Sequence, residues 1–159
     1  MLTEYRAVLP LRVFLVVLFG ILLVFQTLSL PGGIAYMTQQ SPGSANVRWP
    51  LTAIAVFLVL CVQVVVVSTW MLLTRVVRDR IFTRDSLVWV DAIVWAIAAA
   101  WVVLVGLLLW VGFHADDPGA PMLLFLLTVG LAVVGMLMVV MRALLRQATE
   151  LRTDLEAVI

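Results

Sequence analysis

Residues 51–74 read LTAIAVFLVLCVQVVVVSTWMLLT, 24 consecutive positions without a charged side chain. A helix rises about 1.5 Å per residue, so about 20 apolar residues cross the hydrocarbon core of a bilayer. Inside lipid no water is available to an unpaired backbone N–H or C=O, and such a segment must close its own hydrogen bonds as a helix. This stretch is therefore read as a transmembrane span, and the rest of the chain is read outward from it. Three further uncharged runs flank it: Val13–Leu30 with 18 residues, Ala92–Phe113 with 22, and Met122–Met141 with 20. The third extends backwards through Asp91 to Ser86. The alternating pattern of a membrane β-barrel is absent from all four.

Composition agrees. Of 159 residues, 65% are hydrophobic and 12% charged, against roughly 45–50% and about 25% in soluble domains. That balance excludes a soluble globular protein, and it excludes disorder, which needs low hydrophobicity and high charge. The expected fold is an all-α integral membrane protein. It has four spans at about 11–30, 51–74, 87–111 and 122–142 in a single domain over 1–159. Short connections predict an up-down-up-down bundle. The first run is longer than a signal-peptide core, and Pro31-Gly32-Gly33 after it offers no small-x-small cleavage site, so it is read as a retained span. Pro31–Pro50, Arg75–Asp85 and His114–Pro121 are read as the loops.

Orientation follows from the arginines, which supply all ten basic residues. Arg6, Arg12, Arg75, Arg78, Arg80, Arg84, Arg142, Arg146 and Arg152 fall on one side of the four spans, and Arg48 alone on the other. The positive-inside rule predicts both termini and the Arg75–Asp85 loop in the cytoplasm. Trp49 and Trp110 at the outer ends, and Trp70 and Trp89 near the inner ends, suit the headgroup level. The net charge of +1 provides no field that would draw in nucleic acid directly. Cys61, the lone cysteine, lies in an apolar run and is read as a small packing residue.

Few residues within the spans carry chemistry. Asp91 is the only acid there. A carboxylate near the membrane seeks a cation, and Arg12, Arg75 and Arg142 stand at similar depth on the other three helices, so Asp91 is expected to pair with one of them. Gln63, midway along the second span, wants an amide partner across helices. Ala92, Ala96, Ala99 and Gly106 share one face of the third span, suited to close packing within the bundle or to a dimer. Thr83 is the expected N-cap of that helix, with Asp85 in its first turn.

Two cytoplasmic features are candidates for docking a partner. One is the loop around Arg78, Arg80, Ile81, Phe82 and Arg84, where two apolar residues sit among charges. The other is the tail over 143–157, read as a helical extension of the fourth span. There Leu144, Ala148, Leu151, Leu155 and Val158 recur at heptad spacing, with Arg146–Glu150 and Arg152–Glu156 at i, i+4. That stripe has three readings: packing on the inner loop, lying on the membrane, or binding another chain. His114, Asp116 and Asp117 in the outer loop are read as a turn rather than a metal site. No nucleophile–base pair, phosphate-cradling glycine loop or Cys/His ligand spacing is present in the sequence, and no cofactor or metal is expected.

The chain resembles the bacterial domain-of-unknown-function family DUF2975, especially its actinobacterial members. The residues carrying the resemblance are Val47-Arg48-Trp49-Pro50 and Cys61-Val62-Gln63-Val64. Further along are Arg80-Ile81-Phe82-Thr83, Trp89-Val90-Asp91 and the tail Arg142-Ala143-Leu144-Leu145-Arg146-Gln147-Ala148-Thr149. The resemblance implies a four-span protein of the bacterial cytoplasmic membrane without an assigned activity, and no catalytic residues carry over. Members are often encoded beside a small helix-turn-helix regulator of the Cro/CI type, which implies, by association, such a regulator as partner. The expected function is thus a non-enzymatic interaction protein anchoring that regulator. The alternatives are a small oligomeric transporter or channel using Gln63 and Asp91, or a structural subunit of a membrane complex.

Overall fold

A computed structural model describes residues 2–39, 45–78 and 83–158. Every element among them is helical: α1 (Leu2–Val24), a π-helical turn (Phe25–Ser29), α2 (Leu30–Gln39), α3 (Ala45–Val77), α4 (Arg84–His114) and α5 (Gly119–Val158). Four stretches, Arg6–Gly33, Trp49–Val77, Arg84–His114 and Gly119–Val158, are long and apolar enough to cross a membrane. The chain is an all-helical, multi-pass membrane protein.

The first loop is shorter than its composition suggests. Helix continues from α1 through Pro31, Gly32 and Gly33 to Gln39, and α3 begins at Ala45. The π turn explains how Pro31 is accommodated. A proline inside a helix has no N–H to donate, and its ring collides with the carbonyl four residues back, here that of Thr27. Widening the helix over Phe25–Ser29, where the Leu30 N–H reaches back to the Phe25 carbonyl, moves that carbonyl aside. The Thr27 hydroxyl donates to the Leu23 carbonyl at 2.9 Å within the same stretch. Thr69 and Thr128 likewise donate to the carbonyls of Val65 and Leu124, both at 2.7 Å, the internal satisfaction that lipid demands of a hydroxyl.

The helices fall into two units, Met1–Trp70 and Met71–Ile159, with the boundary inside α3. In the first unit α1 buries none of its apolar window. Exposure of apolar side chains costs nothing against acyl chains, so burial is no measure of fit here. Cys61, Gln63, Val66 and Ser68 of α3 are buried. The Arg12 guanidinium lies 5.3 Å from the centre of the Trp70 ring, within cation–π range.

In the second unit α4 and α5 form an antiparallel hairpin. α4 starts after Thr83, whose extended backbone (φ −114°, ψ 155°) marks the N-cap. Its carbonyl accepts from the Ser86 N–H at 3.1 Å, and its hydroxyl stands 3.3 Å from the Ser86 hydroxyl. Arg75, in the last turn of α3, reaches Asp85 in the first turn of α4 at 3.9 Å. The far end of α4 closes with the Ala115 N–H on the Val111 carbonyl at 2.8 Å, and Asp117 accepts from the Gly119 N–H at 3.4 Å as α5 begins. Ser86, Val90, Ile93, Ile97 and Ala100, spaced 4, 3, 4 and 3 apart, form the buried face of α4. α5 runs unbroken for 40 residues, about 60 Å at 1.5 Å per residue.

Candidate functional site

The charged residues of the second unit gather where the start of α4 meets the last third of α5. Two contacts set the register. Asp91 pairs with Arg142, and further along Ile97 meets Gly135 so closely that a Cβ on the glycine would stand 3.1 Å from Ile97 Cγ2. Counting on from these contacts, Arg84 comes level with the turn holding Thr149. Asp91 and Arg142 are 38% and 44% exposed, so neither side chain is enclosed by protein. Of the three arginines expected to compete for Asp91, each takes a different contact: Arg142 holds Asp91, Arg75 holds Asp85, and Arg12 lies over Trp70.

Beyond this ion pair a cleft of about 490 Å³ opens between the two helices, lined by Arg84, Leu87, Asp91, Arg146, Thr149 and Asp154 among others. Arg146 is tied to Glu150 at 3.4 Å along α5. Thr149 is buried and returns its hydroxyl to the Leu145 carbonyl at 2.8 Å, and Thr153 does the same to Thr149 at 2.9 Å. The signal for this face is in the sequence as the spacing Arg142, Arg146, Thr149, Thr153, but it is polar and is hidden beside the more conspicuous leucine stripe.

The leucines lie elsewhere. Leu151 is roughly 140° around the helix from Arg146 at 3.6 residues per turn, and Leu144, Leu151 and Leu155 are 55%, 64% and 65% exposed. Of the three readings of that stripe, packing on the inner loop falls on a segment, 79–82, that lies outside the described residues. The docking set read from the sequence is thereby divided: Arg84 faces the cleft, the leucines face away from it. Arg78 is exposed in the turn after α3, its N–H on the Thr74 carbonyl at 3.2 Å. Arg80, Ile81 and Phe82 lie outside the described residues.

The remaining candidates are dispersed. Gln63 is buried at 6% exposure, and its Nε2 has no hydrogen-bond partner among the described residues. Ala92, Ala96 and Ala99 are half-buried, beside rather than on the buried face of α4, and Gly106 has open space where a Cβ would point. The tight glycine is Gly135, on the other helix, a contact that single-helix periodicity does not reveal. His114 stacks on Trp110 with ring centres 5.3 Å apart and Nδ1 2.9 Å from the Trp110 carbonyl, while Asp117 caps α5. Among the described residues no three His, Cys, Asp or Glu side chains stand together as metal ligands would.

The family model described as "Protein of unknown function (DUF2975)" matches residues 32–159. The chain belongs to the DUF2975 family. The match begins at Gly32, within α2, so the DUF2975 segment contains α3, α4 and α5 whole, whereas α1 precedes it. The cleft, the ion pair and the exposed leucines therefore all belong to the DUF2975 part of the chain. No curated protein and no solved structure matches it.

Proposed function

We propose that this protein is a non-enzymatic membrane anchor that holds a soluble protein partner through the exposed leucine stripe of α5. The observation carrying this reading is a helix that continues to Val158, past its last uncharged run, with Leu144, Leu151 and Leu155 open on one face. Below the headgroups an open leucine faces acyl chains at no cost. Above them it faces water, and burying it against a partner gains about 1.5–3 kcal/mol per side chain. Arg146–Glu150 and Arg152–Glu156, the latter at 3.5 Å, flank the stripe and hold the helix in register for such a partner. The arginine count supports a cytoplasmic location for this helix, in a bacterial cytoplasmic membrane with both termini inside. A small helix-turn-helix regulator is the partner that the family's gene neighbourhood favours, and release from the anchor would then free it for DNA.

The test is purification of the tagged protein from its native membranes in mild detergent, with co-purifying chains identified by mass spectrometry. A stoichiometric helix-turn-helix protein, lost when the chain is truncated after Arg146, is the expected result. A homo-oligomer carrying no soluble protein would sink the anchor reading.

One observation favours a transporter or channel instead: the Gln63 Nε2 buried in a span without a partner among the described residues. An unmet amide donor in hydrocarbon is costly, and lining a polar path would explain it. Solute or ion flux into proteoliposomes, abolished by Gln63→Leu and by Asp91→Asn, would establish that reading over the anchor.

A further inference from the structure

The α4–α5 groove has two parts in line. Nearer the ends of the hairpin is the charged cleft. Deeper along the same two helices is a second groove of about 590 Å³, walled almost wholly by apolar atoms from residues including Val94, Ala98, Trp101, Ala132, Gly135 and Val139. The two are continuous in the sequence pattern. On α4, Leu87, Asp91, Val94, Ala98 and Trp101 follow one another at spacings of 4, 3, 4 and 3. On α5, Ala132, Gly135, Val139, Arg142, Arg146 and Thr149 run at 3, 4, 3, 4 and 3. The two grooves therefore lie in line along the same two helices, with the Asp91–Arg142 pair at the step between them. The apolar groove exists because Ala98 and Ala132 are too small to fill the space between the helices.

The charges of the cleft are not all spent. Arg142 is held by Asp91 and Arg146 by Glu150. That leaves Arg84 and Asp154, both exposed, lining the same cleft with no hydrogen bond or ion pair to any described residue. With Arg84 level with Thr149, Asp154 stands five residues further from the apolar groove, about 7.5 Å along the helix. The order from the membrane outward is thus apolar groove, open guanidinium, open carboxylate.

We infer that the two grooves together are a binding site for one glycerophospholipid whose headgroup carries a phosphate and a primary ammonium, as in phosphatidylethanolamine. The acyl chain lies in the apolar groove, the phosphate meets Arg84, and the ammonium further out meets Asp154. Charge decides among headgroups. A phosphate with an uncharged glycerol would satisfy Arg84 but leave an anion beside Asp154. A quaternary ammonium has no N–H to donate to the carboxylate, and among the described residues the cleft lining includes no aromatic ring to receive it. A primary ammonium offers three donors to one carboxylate. Arg146 and Thr149 lie across α5 from the leucines, and Asp154 stands about 60° from Leu151 at 3.6 residues per turn; the site uses none of the leucines and does not rest on the anchor reading.

The experiment is native mass spectrometry of the full chain in mild detergent, titrated separately with phosphatidylethanolamine, phosphatidylcholine and phosphatidylglycerol of matched acyl chains. One bound phosphatidylethanolamine is expected, preferred over the other two. Arg84→Gln should weaken all three by roughly tenfold, the scale of one charged hydrogen bond. Asp154→Asn should weaken phosphatidylethanolamine alone and erase the preference. Ala98→Leu, which fills the apolar groove from an exposed position, should weaken all three. Free phosphoethanolamine should compete poorly, since it lacks the chain. The inference is overturned if Asp154→Asn leaves the preference intact, if Arg84→Gln leaves phosphatidylethanolamine binding unchanged, or if free phosphoethanolamine competes as well as the lipid. Arg84 and Asp154 are exposed side chains, so unchanged helicity by circular dichroism is expected for both variants and checks that lost binding is not lost fold.

Discussion

Asp91 and Arg142 form an ion pair between two helices, half open to their surroundings. A fully buried pair would lose 3–5 kcal/mol on removal of one partner, and a surface pair 0–1. Between these limits, Asp91→Ala should destabilise the protein by about 1–2 kcal/mol, read as a lower thermal midpoint in detergent. The double reversal Asp91→Arg with Arg142→Asp should recover most of what either reversal loses, and equal loss in the double variant would show that the contact carries no energy. Gly135 and Gly106 make a second pair of contrasting residues. At Gly135 an added methyl meets Ile97 Cγ2 at 3.1 Å, whereas at Gly106 it meets nothing within 4 Å. Gly106→Ala is expected to stabilise its helix by up to about 1 kcal/mol through propensity alone. Gly135→Ala should gain less than that or lose stability, because Ile97 must give way. Identical shifts at the two positions would contradict the close packing of α4 on α5. That Asp91 needs a cation was legible from its being the only acid in a span. Which of three arginines answers it was not, because depth along a helix says nothing about which faces are turned together.

At the scale of elements, α5 has two faces with different duties. Leu151 and Leu155 are open while Thr149 is buried. Leu151→Asp with Leu155→Asp should therefore leave the thermal midpoint nearly unchanged, within about 0.5 kcal/mol for exposed substitutions, while abolishing capture of a soluble partner. A large loss of stability would mean the stripe packs within the protein. The π turn of the first span is the other element with a clear cause. Replacing Pro31 by Ala restores a backbone donor and removes the ring that Thr27 must avoid. The π turn should then tighten to regular α-helix, visible as altered amide chemical shifts over Phe25–Ser29, and its persistence would mean that Thr27 and not Pro31 holds it open. The helical continuation through Pro31–Gly33 was hidden in the sequence. Pro and Gly cluster in turns of soluble proteins, yet in lipid the alternative to helix is an unpaired backbone, and helix prevails.

For the whole molecule the arrangement in the membrane is the first quantity to measure. In a Cys61→Ser background, cysteine placed at Asp117 should react with a membrane-impermeant maleimide applied to intact cells. Cysteine placed at Asp154 should react only after permeabilisation. The reverse pattern would invert the orientation drawn from nine arginines against one. Both side chains are exposed, so a cysteine at either position is open to the reagent.

The sequence by itself determined that this is a helical membrane protein with four spans, and where their apolar cores lie. These follow from the cost of charge and unpaired backbone in hydrocarbon, which acts on each segment separately. It also marked Asp91, Gln63 and the leucine stripe as residues needing an explanation. Only the tertiary structure decided that Asp91 belongs to Arg142, that Gly135 and not Gly106 is the tight glycine, and that Arg84 and Asp154 share one cleft while the leucines face away from it. Those outcomes depend on the rotation and register of α4 against α5. Between apolar helices in lipid, that register is set by the fit of side chains on both partners at once and by no periodicity in either alone.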